Sequence, residues 1–256
     1  MNMLRFAIHV LAISALLGAS ARVAQAQADP PDEPPPRLEA TAQGAILTTT
    51  GNASTSTVGF GGELIVRTDP WVYRTKVTFA ESSDDEALKA RSTVALLRAD
   101  RTLSPRLSAF GQYDYLRDLF AGIEDRQTIQ GGIAYLLVNR ASHRLMIDGG
   151  FGYEHEGRLN AENSNGAVGE SGVVYRWKIA STSELVEEFR ASLPFANTAE
   201  WKLDQSIALT AAINSIFSVK VSNIIRFVNE PVPGFESTDT ISTVALVMKL
   251  RRSAVQ

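Results

Sequence analysis

The chain has 256 residues, a formal net charge of −3 and no cysteine. Without thiols there are no disulfides, thiolate nucleophiles, cysteine zinc sites or lipidated N-terminal cysteine. The charge exerts no long-range pull on nucleic acid, and three histidines leave little for a histidine-rich metal centre.

Residues 1–26 read as a secretory signal. Arg5 gives a positive start, Leu11–Ser20 is apolar, and Ala24-Gln25-Ala26 fits a cleavage site, so Gln27 is the expected first mature residue. The apolar run is too short to span a membrane comfortably. Residues 27–39 form a proline-rich periplasmic tether that includes DPPDEPPPR, an extended and solvated composition.

From residue 40 the apolar period switches to two. Segments of this kind are expected at 40–49, 55–67, 71–81, 88–99, 105–117, 126–138, 143–155, 166–179, 183–193, 200–212, 217–229 and 238–250. In WVYRTKVTF, Trp71, Tyr73, Val77 and Phe79 oppose Arg74, Lys76 and Thr78. In RLSAFGQYDYLR, Tyr113 and Tyr115 oppose Arg106, Gln112 and Asp114. In HRLMIDGGFGYEH, Leu145, Ile147, Phe151 and Tyr153 oppose Arg144, Asp148 and Glu154. EWKLDQSIALT sets Leu203, Ile207 and Leu209 against Lys202 and Asp204, and FSVKVSNIIRF sets Val219 and Val221 against Lys220 and Arg226. KARSTVALLRA and TDTISTVALVMKL are ambiguous, with apolar residues on both faces near their ends.

A soluble sandwich and an outer-membrane barrel both produce such alternation. Three features favour the barrel. Nearly all segments reach the roughly nine to eleven residues that a tilted membrane strand needs. Connections alternate between short ones such as Thr68–Pro70 and Asn139–Ser142 and longer polar ones such as ESSDDEA and NEPVPGFES, as short periplasmic turns and long external loops require. Aromatics gather near both strand ends, with aliphatic residues between them. The reverse register would set Arg144 in hydrocarbon, at about 2–4 kcal/mol near the midplane. The reading is therefore all-β: a single antiparallel up-and-down transmembrane β-barrel of about twelve strands over 40–250, followed by a short tail at 251–256. An even strand count leaves both termini in the periplasm.

Within this barrel the expected lumen-facing charges are Arg74, Lys76, Arg106, Asp114, Arg144, Asp148, Glu154, Arg176, Glu188, Arg190, Lys202, Asp204, Lys220 and Arg226. Both signs are interleaved. An open selective channel often shows one dominant sign, whereas mixed charges can pair across a lumen and narrow it, and poorly hydrated charges need such partners.

The segments TTTGNASTST (Thr48–Thr57), FGQYDYLRDLFAGIEDRQTIQGGIAY (Phe110–Tyr135), GGFGYEHE (Gly149–Glu156) and TDTISTVALVMKL (Thr238–Leu250) resemble the salt-induced outer-membrane protein family. The resemblance implies an outer-membrane barrel and carries over no catalytic residues. Where outer-membrane strands often finish on a terminal aromatic, this chain has Leu250.

A search for chemistry returns little. There is no phosphate-binding loop, dinucleotide fingerprint or GxSxG elbow. His155, between Glu154 and Glu156 near the external rim, could serve an outer-membrane lipid or ester hydrolase; the plainer reading is a rim histidine between solvated carboxylates. SSDDE (Ser82–Glu86) lacks the spaced ligands of a dedicated calcium loop and reads as a solvated acidic loop. No cofactor or metal is expected. The leading expectation is a non-enzymatic outer-membrane protein, a narrow pore or an envelope-structural protein linked to osmotic stress. The alternatives are the rim hydrolase and a soluble periplasmic binding barrel. Expected partners are outer-membrane lipid and lipopolysaccharide, the barrel-assembly machinery, and small solutes or ions, with no nucleic acid.

Overall fold

The computed structural model describes residues 36–252, apart from 51–54, 85–86 and 120. The signal at 1–26, the tether up to residue 35, the tip of the first loop and residues 253–256 lie outside the described residues. Period-two alternation becomes twelve antiparallel strands: β1 (Leu38–Thr50), β2 (Thr55–Thr68), β3 (Trp71–Asp84), β4 (Ala87–Thr102), β5 (Leu107–Asp118), β6 (Ile123–Asn139), β7 (His143–Arg158), β8 (Ser164–Ala180), β9 (Ser183–Pro194), β10 (Lys202–Ala212), β11 (Phe217–Val228) and β12 (Thr238–Arg252). Each strand pairs with the next, and β12 returns to β1 with Ala245 opposite Ala45, closing the barrel. Closure removes every unpaired strand edge, the condition for crossing hydrocarbon with strands.

The strands outrun the hydrophobic signal. β6 has 17 residues and β7 has 16, more than the roughly nine to eleven needed to span a bilayer. The apolar alternation ends where hydrocarbon ends, but the hydrogen-bond ladder continues through polar flanks such as Ile123–Asp125 and Glu156–Arg158. Arg251 and Arg252, expected in a tail, pair with Glu39 and Leu38 in the same way.

Strand β6 shows the two faces plainly. Ile129 and Ile133 are exposed at 65% and 59%, while Thr128, Gln130 and Ala134 between and beside them are buried. The outward face continues through Phe60, Phe151, Val221, Val244 and Leu246, all exposed, which makes a lipid-facing belt. Rings mark its two borders. Trp71 stacks on Tyr73, and His143 lies between Tyr175 and Trp177, at the end where β1 begins and β12 finishes. Trp201 meets Phe227, and Phe151 meets Phe195, toward the opposite end. Glu187 and Gln205 also point outward; the Gln205 amide donates to Glu187 Oε1 at 3.0 Å, so these two polar groups satisfy each other.

Between β6 and β7 the two backbones come too close for side chains at several positions, and glycine permits it. A Cβ on Gly132 would fall 2.2 Å from the Gly149 carbonyl oxygen, and one on Gly152 would fall 2.2 Å from that of Ile129. The neighbouring backbone leaves no room for any larger residue at either position.

The candidate functional site is the lumen

Side chains that bond across strands lying apart in the sheet must point into the barrel. Asp118 on β5 and Arg226 on β11 stand on opposite sides of the ring, yet Arg226 donates to Asp118 Oδ2 at 2.5 Å. Lys202 on β10 donates to Glu154 Oε1 at 2.5 Å and to Glu156 Oε2 at 2.9 Å, both on β7. Arg98 on β4 lies 3.5 Å from Asp148 on β7. Alternation along each strand assigns the remaining inward positions.

These contacts form two polar clusters. In the upper one, toward the long loops, Arg126 and Arg158 each donate to Glu156 at 2.6 Å, and Lys202 completes the group. Asn197 caps the short 3-10 turn Thr198–Glu200 by accepting from the Ala199 amide at 3.1 Å. That turn holds Glu200 against the Arg158 guanidinium, whose hydrogen bonds keep the Glu200 carboxyl below the usual carboxylate range. In the lower cluster, Arg98 binds Asp100 at 2.9 Å and Gln112 at 3.1 Å, and its guanidinium lies 3.9 Å over the inward ring of Phe110. The Gln130 amide reaches Glu170 at 2.6 Å, which also takes Arg190 at 3.2 Å, while Gln112 donates to Asp114 at 2.7 Å. Arg98, Gln112, Gln130, Glu156 and Lys202 are buried and most of the others half-buried. Buried ions tolerate such a position only when paired and hydrogen-bonded, and here each meets an opposite charge or an amide.

A strap crosses the mouth above the upper cluster. The loop between β11 and β12 brings Phe235 against Gly122, in the loop between β5 and β6 on the opposite side of the ring. Gly122 has φ 74 and its absent Cβ would meet the Phe235 ring at 2.5 Å, so glycine is required both by the backbone and by the ring.

The sequence-derived charges divide by surroundings. Asp114, Asp148, Glu154, Arg190, Lys202 and Arg226 sit in the bonded clusters. Arg74 and Arg176 make looser pairs with Glu63 and Glu184, at 3.4 and 3.9 Å. Asp204 faces inward between Arg190 and Arg226 in register. Lys76, Glu188 and Lys220 point inward from β3, β9 and β11. Arg144, the second residue of β7, is exposed. Arg106 differs from expectation: it lies in the exposed turn before β5, where Ser104 Oγ accepts from the amides of Arg106 and Leu107. A serine at the start of a turn captures the chain before the strand begins.

Several members of the network escape a reading by alternation. Arg98 sits in the ambiguous β4 segment, while Asp118, Arg126, Glu156, Arg158 and Glu200 lie at strand ends or in stretches that read as loop. Opposite charges crowded near strand ends are the signal that points to them, but it carries no partner assignment.

His155 points outward at the rim. Its Nδ1 lies 2.5 Å from Asn165 Oδ1 and its Nε2 lies 3.8 Å from Asp125 Oδ2. Asp125 accepts from Gln127, which accepts from the Tyr113 hydroxyl. Among the described residues, no serine hydroxyl bonds to His155.

Residues 43–250 match the family described as protein of unknown function DUF481. The chain belongs to that family. An uncharacterised Escherichia coli protein, YdiY, is 23% identical over 138 residues, a match that covers 54% of this chain and 53% of YdiY; the aligned region thus spans about half the length of that relative. Among solved structures, the NanC porin superposes with a TM-score of 0.56 at 9% identity, covering 82% of this chain and 100% of NanC. An outer-membrane channel from Pseudomonas putida superposes with a TM-score of 0.50 at 9% identity, covering 88% of this chain and 100% of that one. These likenesses establish the fold, a closed barrel of the outer-membrane type.

Proposed function

We propose that this protein is a non-enzymatic outer-membrane barrel that acts as a narrow pore, its passage constricted by paired charges. The observation that carries this reading is bonding across the lumen between strands that are not neighbours: Arg226 on β11 to Asp118 on β5, on opposite sides of the ring, and Lys202 to Glu154 and Arg98 toward Asp148, each between strands three places apart. A lumen that only needed filling would use apolar side chains, which bury without desolvating ions. Ionic filling keeps the interior wettable and leaves room for water and small solutes between charges. Two of the superposing proteins are a porin and an outer-membrane channel, which supports the same reading.

Residence in the outer membrane, export by a cleaved signal, contact with lipopolysaccharide and delivery by the assembly machinery belong to this reading, supported by the lipid-facing belt and the N-terminal pattern. A link with salt stress rests on the family resemblance.

The test is single-channel recording from detergent-folded protein, with folding verified by a heat-modifiable gel shift. Small stepwise conductance is expected. A folded but silent barrel would instead favour the envelope-structural role, because the strap at Phe235 and the upper cluster would then seal it.

A further inference from the structure

The lipid-facing belt is not uniform around the ring. Three adjacent strands each set one strongly polar side chain on its outer surface. Outward positions read Leu185, Glu187 and Phe189 on β9, Leu203, Gln205 and Ile207 on β10, and Val221, Asn223 and Ile225 on β11. Each polar residue has apolar outward neighbours on both sides along its own strand, which puts it inside the belt and not at its border. Among the described residues, no other carboxylate, amide, lysine or arginine holds such a position.

The three residues form one patch. Ile207 stands in register with Glu187 on one side and with Asn223 on the other. The Gln205 amide donates to Glu187 Oε1 at 3.0 Å, and Asn223 Nδ2 donates to Ser242 Oγ at 2.9 Å. These bonds use one amide proton of each side chain and one carboxylate oxygen. Both amide oxygens, both second amide protons and Glu187 Oε2 make no hydrogen bond with any described residue. Hydrocarbon offers them nothing, and polar side chains at membrane depth turn toward protein or water. These point away from the lumen, so the partner that satisfies them is a protein surface.

We infer that the outer wall of β9 to β11 is where a second copy of this chain docks within the bilayer. A two-fold axis sets one patch against its own duplicate. An amide carries donor and acceptor together, so Gln205 and Asn223 match their own counterparts, and the spare carboxylate oxygen of Glu187 accepts a spare amide proton. Beside the patch lies a groove of about 480 Å³, lined by Ile207, Leu209, Val221, Asn223, Ser242 and Val244. Leu209, Val221 and Val244 stand exposed along it, so the same face carries both ridge and recess. The inference rests on residence in the outer membrane and is independent of whether the barrel conducts.

The chain has no cysteine, so one introduced thiol reports one position. Leu209→Cys and Val221→Cys mark the proposed face, and Ile133→Cys on β6 marks the outer wall away from it. Each is treated with a short bis-maleimide, in isolated outer membranes and as purified protein in lipid vesicles, after folding is verified by the heat-modifiable shift. Leu209→Cys and Val221→Cys should give a product of twice the mass, and Ile133→Cys should not. Added to Val221→Cys, the pair Glu187→Leu and Gln205→Leu should raise the dimer dissociation constant about tenfold or more, because polar side chains that bond across membrane-embedded elements are lost from both copies. Leu209→Cys with Asn223→Leu gives the same readout should that variant misfold. A folded monomer, a dimer linked through Ile133→Cys, a dimer indifferent to the leucine variants, or a product with a different protein in place of the homodimer overturns this inference and leaves the membrane reading standing. Folded protein that stays soluble without detergent overturns both.

Discussion

Lys202 on β10 and Glu154 on β7 meet at 2.5 Å across the lumen, with side chains 6% and 9% exposed. The same ammonium holds Glu156 at 2.9 Å. One lysine thus ties two carboxylates of a strand three places away in the ring. Lys202→Met leaves the Glu154 carboxylate with the weak Thr128 hydroxyl contact at 3.3 Å in place of a charged donor. Breaking a buried pair by removing one partner costs about 3–5 kcal/mol; Arg126 and Arg158 still hold Glu156, so about 3 kcal/mol is expected. Urea unfolding in lipid vesicles measures it. Adding Glu154→Gln should recover part of the loss, and no change in the single variant would contradict the pairing.

The close approach of β6 and β7 makes a sharp contrast among glycines. Gly152→Ala drives a methyl into the Ile129 carbonyl, whereas Gly149→Ala meets nothing nearer than 3.8 Å. Overpacking of this kind costs about 1–3 kcal/mol. Gly152→Ala should lower the temperature at which the folded gel band disappears, and Gly149→Ala should leave it in place.

Much of this architecture is legible from residue pattern. Leu145 to Tyr153 alternating with Arg144, Asp148 and Glu154 fixes which face of β7 is wet, because a one-residue slip would expose charges to lipid. Partner choice is another matter. Asp118 and Arg226 are 108 residues apart, and their meeting depends on strand tilt and stagger around the closed ring. Arg98 is hidden by a different effect: Val94 and Leu96 share its inward face, so β4 lacks clean alternation. Bulges at Leu136/Val138 and Leu116/Asp118 shift register locally, and no side-chain period announces them. Arg106 shows that alternation extrapolated past a strand end is overruled by turn chemistry.

The lipid-facing belt predicts position-dependent intolerance of charge. Ile133 sits mid-strand on β6 and is 59% exposed. Ile133→Arg should destabilise the protein in bilayers by about 2–4 kcal/mol. The reverse exchange in an exposed turn, Arg106→Ile, should shift stability by less than about 0.5 kcal/mol. Equal effects in vesicle unfolding would mean that Ile133 does not face hydrocarbon.

Glu200 lies outside the strands, and the Arg158 hydrogen bonds depress its carboxyl pKa. A depressed carboxylate stabilises the fold at pH above its ordinary value, about 4.3, and that contribution fades as pH falls below it through the folded value. Acidification through this window should loosen the upper cluster. Glu200→Gln should lessen the pH dependence of the unfolding midpoint there; an unchanged slope would show that Glu200 has no part in it.

The most direct test of a pore narrowed by bonds between opposite walls compares single-channel conductance in one bilayer for the natural protein and for Arg226→Ala combined with Phe235→Ala. These changes remove the ion pair to Asp118 and the ring lying against Gly122. Small discrete steps in the natural protein, with clearly larger ones in the variant, are the expected result. Correctly folded protein that gives no steps in either form would contradict the account.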